Sequence, residues 1–207
     1  VKNLVEAALK YDIRLIHVST DYVFNGQFFK PLKEDDAVSP LGVYGSTKRK
    51  GENYILESEV KGIVIRTSWL YSSYGNNFVK TMMNLGKERE ELVVIFDQVG
   101  TPTYAKDLAK AILHICYVES PETSNNLYHY SNEGVASWYD FAKAIMELST
   151  TNCSVKPIET KDYPTPAARP YYSVMNKSKI KDEYKITIPY WRDALRECIE
   201  KIKKKEI

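Results

Sequence analysis

Three short apolar runs, IRLIHVS at 13–19, GIVIRTS at 62–68 and ELVVIF at 91–96, lack clean in-and-out alternation, and stretches of helical period stand between and beside them. A strand wetted on one side alternates, whereas a strand covered on both faces reads as a nearly continuous apolar run. The helical stretches are VKNLVEAALKY at 1–11, with Val1, Leu4, Val5, Ala8 and Leu9 on one face, then about 44–58, NNFVKTMMNLGKE at 76–88 and YAKDLAKAILHICYV at 104–118. Helices alternating with buried strands predict a parallel sheet covered on both faces, a partial doubly wound (Rossmann-like) α/β core.

After about Glu119 the pattern changes. NLYHYS reads as a short strand, and SWYDFAKAIMEL as a helix that Ser137 caps, with Asp140 three residues on. The final helix lies near WRDALRECIEKIKKK. The expected division is therefore 1–67 with 91–118 as the C-terminal part of a dinucleotide-binding domain, and 68–90 with 119–207 as a smaller C-terminal α/β substrate lobe. The long connections at 20–43 and 159–175 exceed the usual length, and such loops are commonly functional.

Composition narrows the function classes. An apolar content of 43% over 207 residues supports a real core. With 29 basic against 27 acidic residues there is no pull toward nucleic acid or an anionic membrane, and the tail KIKKKEI reads as a solvated helix end. Three cysteines with no C-x-x-C, and no His at ligand spacing, suggest neither a disulfide framework nor a metal site, which fits a reducing, cytoplasmic setting. No apolar run approaches the ~20 residues that span a bilayer. The chain begins with Val1 rather than Met, which leaves room for a preceding segment.

Doubly wound sheets that bind dinucleotides hold the pyrophosphate on a Gly-rich turn after the first strand. The only G-x-x-G here, Gly42 to Gly45, follows a loop, so this chain lacks the usual grip on those phosphates. It does carry Y-x-x-x-K twice, as Tyr44 with Lys48 and as Tyr139 with Lys143. Residues four apart share a helix face. One positive charge at about 4 Å and an effective dielectric near 20 contributes about 4 kcal/mol, roughly what brings a phenol from pKa about 10 to neutrality. A phenol so placed serves as general acid or base. The second pair lies on an amphipathic helix outside the α/β pattern and reads as a structural face. The first follows the strand ending in Ser19-Thr20, whose hydroxyls are expected to meet the same substrate oxygen, because strand C-termini form the ligand crevice. His17, His114 and His129 fall in strand or helix patterns and read as structural.

The runs VSTDYVFNG, SPLGVYGSTKRKGEN, IRTSWLY, GNNFVKTMM, FDQVGTPTYAKDLA and ARPYYSVM, in this order, resemble the extended short-chain dehydrogenase/reductase superfamily, and within it the dTDP-4-dehydrorhamnose reductase family. The resemblance implies reduction of the C4 keto group of dTDP-4-dehydro-L-rhamnose, a nucleotide-sugar precursor step, with NADPH or NADH as hydride source. It implies a catalytic set of Tyr44 as proton donor, Lys48 as its activator and Thr20 as the third member. Ser19, Tyr44, Lys48 and Thr67 fall on the cofactor side, and Thr20, Asp21, Tyr22, Trp69, Asn77, Gln98 and Arg169 on the substrate side. The bland readings are a core Trp69, a helix-capping Asn77, a turn residue at Gln98 and a loop anchor at Arg169. The partner implied is a nucleotide-sugar substrate, with no nucleic acid or membrane, and a homodimer is compatible with it.

In the family, roughly the first eighty residues carry the Gly-rich turn and three strands ahead of the point where Val1 falls, so the chain is expected to be a fragment of a longer polypeptide. Two other readings keep the fold. One is a non-catalytic binding or regulatory protein, like the methionine adenosyltransferase regulatory subunit; the other is an epimerase or dehydratase of sugar nucleotides. Dehydratases of the superfamily place Asp-Glu after the strand-end Thr, where this chain has Asp21-Tyr22.

Overall fold

The computed structural model describes residues 1–118 and 127–204. It divides into two compact units, one made of Val1–Ser68, Lys110–Tyr130 and Ala167–Thr187, the other of Trp69–Ala109, Ser131–Pro166 and Ile188–Ile207. In chain order, α1 (Lys2–Lys10), β1 (Leu15–Thr20), a 3-10 turn at Asp21–Val23, α2 (Val43–Leu56) and β2 (Gly62–Thr67) belong to the first unit. Next come β3 (Leu70–Tyr71), α3 (Phe78–Glu88), β4 (Glu91–Ile95), β5 (Val99–Gly100) and β6 (Thr103–Tyr104) of the second unit. After them α4 (Ala105–Tyr117) leads back to the first unit and β7 (Leu127–His129). The chain then passes through β8 (Ala136–Ser137), α5 (Trp138–Ser149) and β9 (Ser154–Ile158) of the second unit, α6 (Ser178–Tyr184) of the first and α7 (Trp191–Lys203) of the second.

The first unit is built on a parallel sheet of order β1-β2-β7. Every residue of the central β2 is buried, which is why GIVIRT shows no alternation, whereas the first four residues of β1 are only half-buried. Val5 and Ala8 of α1 and Ile55 of α2 pack with Val64 and Leu127 of the sheet. Each large apolar side chain so removed from water contributes about 1.5–3 kcal/mol. The long connection at 20–43 is anchored by buried Val23, Phe24 and Leu32. Leu32 also exchanges main-chain bonds with the other long connection, its N–H donating to Val174 O (2.9 Å) and its carbonyl accepting from Asn176 N–H (2.7 Å).

The α/β class with parallel pairing is as the periodicity predicts, but two strands change places. β4, expected in the dinucleotide-binding sheet, pairs in parallel with β9 in the second unit. Its own residues explain this: Leu92 and Val94 are buried while Glu91 and Val93 are exposed, so it is a one-sided strand. β7, expected in the smaller lobe, is the third strand of the first sheet, and three residues are too few to declare a period. Residues 167–187 also lie in the first unit, and the boundary expected at Glu119 lies outside the described residues.

In the second unit α3, α5 and α7 enclose a core that includes Tyr71, Phe141, Ile145, Leu195 and Ile199. The cap of α5 is the reciprocal one its sequence announces: Asp140 N–H donates to Ser137 Oγ (3.0 Å) and Ser137 N–H to Asp140 Oδ2 (2.9 Å). Lys203, in the tail expected to be solvated, donates to Leu148 O (3.3 Å) near the end of α5, and the last residues of that tail lie outside the described ones. Among the described residues no helix is long and apolar enough to cross a membrane.

Candidate functional site

The site is built where β1 ends and α2 begins. A Cβ on Gly45 would stand 2.2 Å from the carbonyl oxygen of Tyr22, so only glycine lets the first turn of α2 press onto the Asp21–Val23 turn. That approach sets the ring of Tyr44 edge-on against Tyr22, with centroids 5.8 Å apart at 85°. Tyr44 remains 58% exposed, so a ligand can reach it. One turn on, Lys48 Nζ donates to Val18 O at 2.6 Å, which fixes its ammonium beside the C-terminal half of β1. Burial lowers the pKa of Lys48 below the usual amine value, and the negative charge of Glu52 works against that shift.

Thr20 and Thr67 are register partners at the C-terminal ends of two adjacent parallel strands. Thr20 Oγ1 donates to Asp21 Oδ1 (3.0 Å) and accepts from Tyr22 N–H (3.2 Å), capping the 3-10 turn. Thr67 Oγ1 is buried with no hydrogen-bond partner from the protein. An unpaired buried hydroxyl is uncommon, and this one stands at a strand end, where ligands of parallel sheets bind. The Lys48 ammonium and the exposed Tyr44 phenol are groups suited to a polyhydroxyl ligand such as a ribose.

Ser19 does not join Thr20. Neighbouring strand residues point to opposite faces, and Ser19 Oγ donates inward to Glu52 Oε1 at 2.6 Å. Asp21 is 2% exposed rather than open to a sugar. Burial pushes its carboxyl up to about 7, against the lowering influence of Thr20, Ser173 and nearby main-chain N–H groups. Tyr22 is half-buried; burial and the Asp21 charge raise its phenol, and Arg169 is near enough for its charge to counter them. Arg169 itself is exposed, as a ligand-facing cation requires.

The remaining expected residues lie in the second unit. Trp69 has φ +47°, a left-handed backbone that a bulky residue adopts only when its surroundings impose it. Here it stacks on Trp138 at 3.8 Å and 11°. Asn77 takes its bland reading: it caps α3 through Oδ1 (Lys80 N–H, 3.4 Å), and its Nδ2 donates to Ser72 O (2.7 Å). Gln98 is 2% exposed, and its Nε2 donates to Thr160 Oγ1 (3.1 Å), so its amide ties two loops together instead of facing a ligand.

Sequence reasoning passed over Glu52 and Arg66. The signal was there: an arginine inside the buried run GIVIRT requires a buried acid, and Glu52 stands four residues after Lys48 on the same helix.

A family model described as RmlD substrate binding domain matches residues 1–204. The spore coat polysaccharide biosynthesis protein SpsK of Bacillus subtilis is 43% identical over 89% of this chain, which spans 63% of that protein. A dTDP-4-dehydrorhamnose reductase of Aggregatibacter actinomycetemcomitans is 41% identical, covering 95% of this chain and 69% of its own. The crystal structure of a dTDP-4-dehydrorhamnose reductase from Bacillus anthracis in complex with NADP superposes with a TM-score of 0.90 at 38% identity, over 97% of this chain and 70% of that one. A parallel α/β sheet with a Tyr-Lys pair beside the C-terminal half of β1 and a match along nearly the whole chain agree: the chain belongs to the RmlD substrate binding domain family.

Proposed function

We propose that this chain is the greater part of a longer NADPH- or NADH-dependent reductase that converts the C4 ketone of dTDP-4-dehydro-L-rhamnose to the alcohol of dTDP-L-rhamnose. The observation that carries the reading is the grouping of Tyr44, Lys48, Thr20 and Thr67 at one sheet edge, in a family whose relatives above include two named for that reaction. Those relatives are longer than this chain, which supports the missing dinucleotide grip lying in a preceding part.

A bound nicotinamide supplies the hydride to C4 of the sugar. Tyr44 transfers its phenolic proton to the C4 oxygen as the ketone is reduced, so that carbon gains hydride and oxygen gains a proton. Lys48, fixed by Val18 O, supplies the positive charge that stabilises the phenolate left behind and a donor for the ribose hydroxyls. Thr67 supplies the second donor at that strand end. Thr20 holds the turn that carries Tyr22 and stands at the same strand end. In this reading Arg169 recognises the nucleotide-sugar, whereas the buried Gln98 and the capping Asn77 hold the scaffold. Cytoplasmic residence and a homodimer belong to the same proposal: the three unbridged thiols support the first, and sedimentation velocity tests the second.

The test is oxidation of NADPH by the full-length protein. Turnover is expected with a dTDP-4-keto-6-deoxy sugar and not with the 4-hydroxy sugar nucleotide, and Tyr44→Phe lowers it by about a thousandfold without unfolding the protein. Normal turnover in Tyr44→Phe removes the proton-donor role. Calorimetric titration of residues 1–207 with NADPH shows weak binding at most, and tight binding overturns the view that a preceding part holds the phosphates.

A further inference from the structure

We propose that Glu52 is a positioning residue for the Tyr44–Lys48 pair, an inference that rests on the reductase reading. Tyr44, Lys48 and Glu52 succeed one another at four-residue intervals along one face of α2. Glu52 is completely buried, yet its two oxygens accept four hydrogen bonds: Oε1 from Ser19 Oγ (2.6 Å) and Arg66 Nε (2.9 Å), Oε2 from Arg66 Nη2 (2.8 Å) and Arg49 Nη1 (3.0 Å). That fills the acceptor capacity of a carboxylate.

Ser19 stands on β1 and Arg66 on β2, so one side chain of the helix is fastened to two strands at once. The residue after Ser19 is Thr20, and the residue before it is Val18, whose carbonyl holds Lys48. The tie therefore fixes how far along the sheet, and at what rotation, α2 presents Lys48 and Tyr44 to the strand end. Arg66 is itself held in place. Its guanidinium lies 5.0 Å from the Phe24 ring, and its Nη1 stands 3.5 Å from His129 Nε2. The Nδ1 of that histidine faces Leu32 O at 3.1 Å. A carbonyl only accepts, so Nδ1 carries the proton and Nε2 faces Arg66 as an acceptor. Ser19, Arg66 and His129 are register partners and form one row across all three strands.

Stability alone does not call for this arrangement, because a well-packed apolar pair in place of a buried ion pair is often neutral or stabilising. What the ion pair adds is direction: four bonds of set geometry, where apolar packing tolerates sliding. Proton transfer rewards that, since a displacement of about 1 Å costs about a hundredfold in rate.

The test uses the full-length protein and steady-state kinetics. Glu52→Gln is expected to lower kcat by about tenfold while KM for the sugar nucleotide stays within about twofold. The double variant Glu52→Met with Arg66→Met, which refills the volume without charge, is expected to regain the wild-type thermal midpoint but not the turnover. A wild-type kcat in the double variant overturns the proposal, because the pair then serves the fold alone; so does an unchanged kcat in Glu52→Gln. Should neither variant fold, Ser19→Ala decides, since it cuts only the tie to β1: a fall of about threefold in kcat at constant KM supports the positioning role, and no change rejects it. Tyr44→Phe run alongside separates the two levels. Normal turnover there removes the reductase reading itself, whereas an inactive Tyr44→Phe beside a wild-type Glu52→Gln removes only the role of Glu52.

Discussion

The Tyr44–Lys48 and Tyr139–Lys143 pairs have the same spacing on two helices and opposite surroundings. Tyr139 is half-buried against the core of its unit and Lys143 points to solvent, where its charge falls near Glu147. Tyr44 reverses this: the phenol is exposed and the lysine is drawn in to a strand carbonyl. Their helix starts differ as well. α5 opens on a reciprocal Ser137–Asp140 cap that satisfies its own donors, while α2 opens on Gly42 with no side-chain cap and leans on a 3-10 turn. Spacing puts two groups on one face, and what the face meets decides whether they are scaffold or chemistry.

The widest gap between the two pairs is expected in turnover. Tyr44→Phe should lower kcat by about a thousandfold, within the range for general acid catalysis, whereas Tyr139→Phe should leave it within about twofold. Equal losses in the two variants break the comparison. The next gap is in stability. Arg66→Met takes two of the four hydrogen bonds and the fully buried cation from Glu52 and should cost about 3 kcal/mol in urea unfolding. Arg192→Met, which removes the partner of Glu147 beside the second pair, should not move the midpoint.

A third prediction turns on pH. The Asp21 carboxyl is raised to about 7 in the folded chain from an ordinary value near 4, so the native state binds that proton more tightly. Its contribution is present in full below the ordinary value and is lost as pH rises through about 7. Asp21→Asn should therefore gain on the wild type between pH 4 and pH 8, by a few kcal/mol at most. Urea midpoints across that range check the sign, and a constant difference rejects it. The smallest effect belongs to the cap of α5: Ser137→Ala should cost about 1 kcal/mol and leave kcat unchanged, which sharpens the view of the second helix as scaffold.

How much of this was legible in the sequence follows from the range of the interactions. Tyr44, Lys48 and Thr20 depend on helix spacing and a strand end, both local, and the structure sets them at one edge of the sheet. β4 and β7 were misplaced because a strand's own residues do not name its partner, and β9 went unread because SVKPI carries a lysine and a proline. The resemblance puts Asn77 and Gln98 on the substrate side, but their amides are used by Ser72, Lys80 and Thr160, contacts no spacing reveals. Glu52 and Arg66 were readable from the burial problem that an arginine poses inside an apolar strand.

The pairing of Ser19 with Arg66 and of Thr20 with Thr67 gives β1 a parity. Odd and even positions at its end hold different offices: Ser19 locks the helix that carries Tyr44, and Thr20 caps the 3-10 turn that follows. A shift of β1 by one residue would bring Val18 or Thr20 to Glu52 and put Ser19 or Asp21 at the turn. The composition would be unchanged, yet the Ser19–Glu52 tie and the Thr20 cap would no longer stand together, so this strand end is encoded as much in counting as in composition.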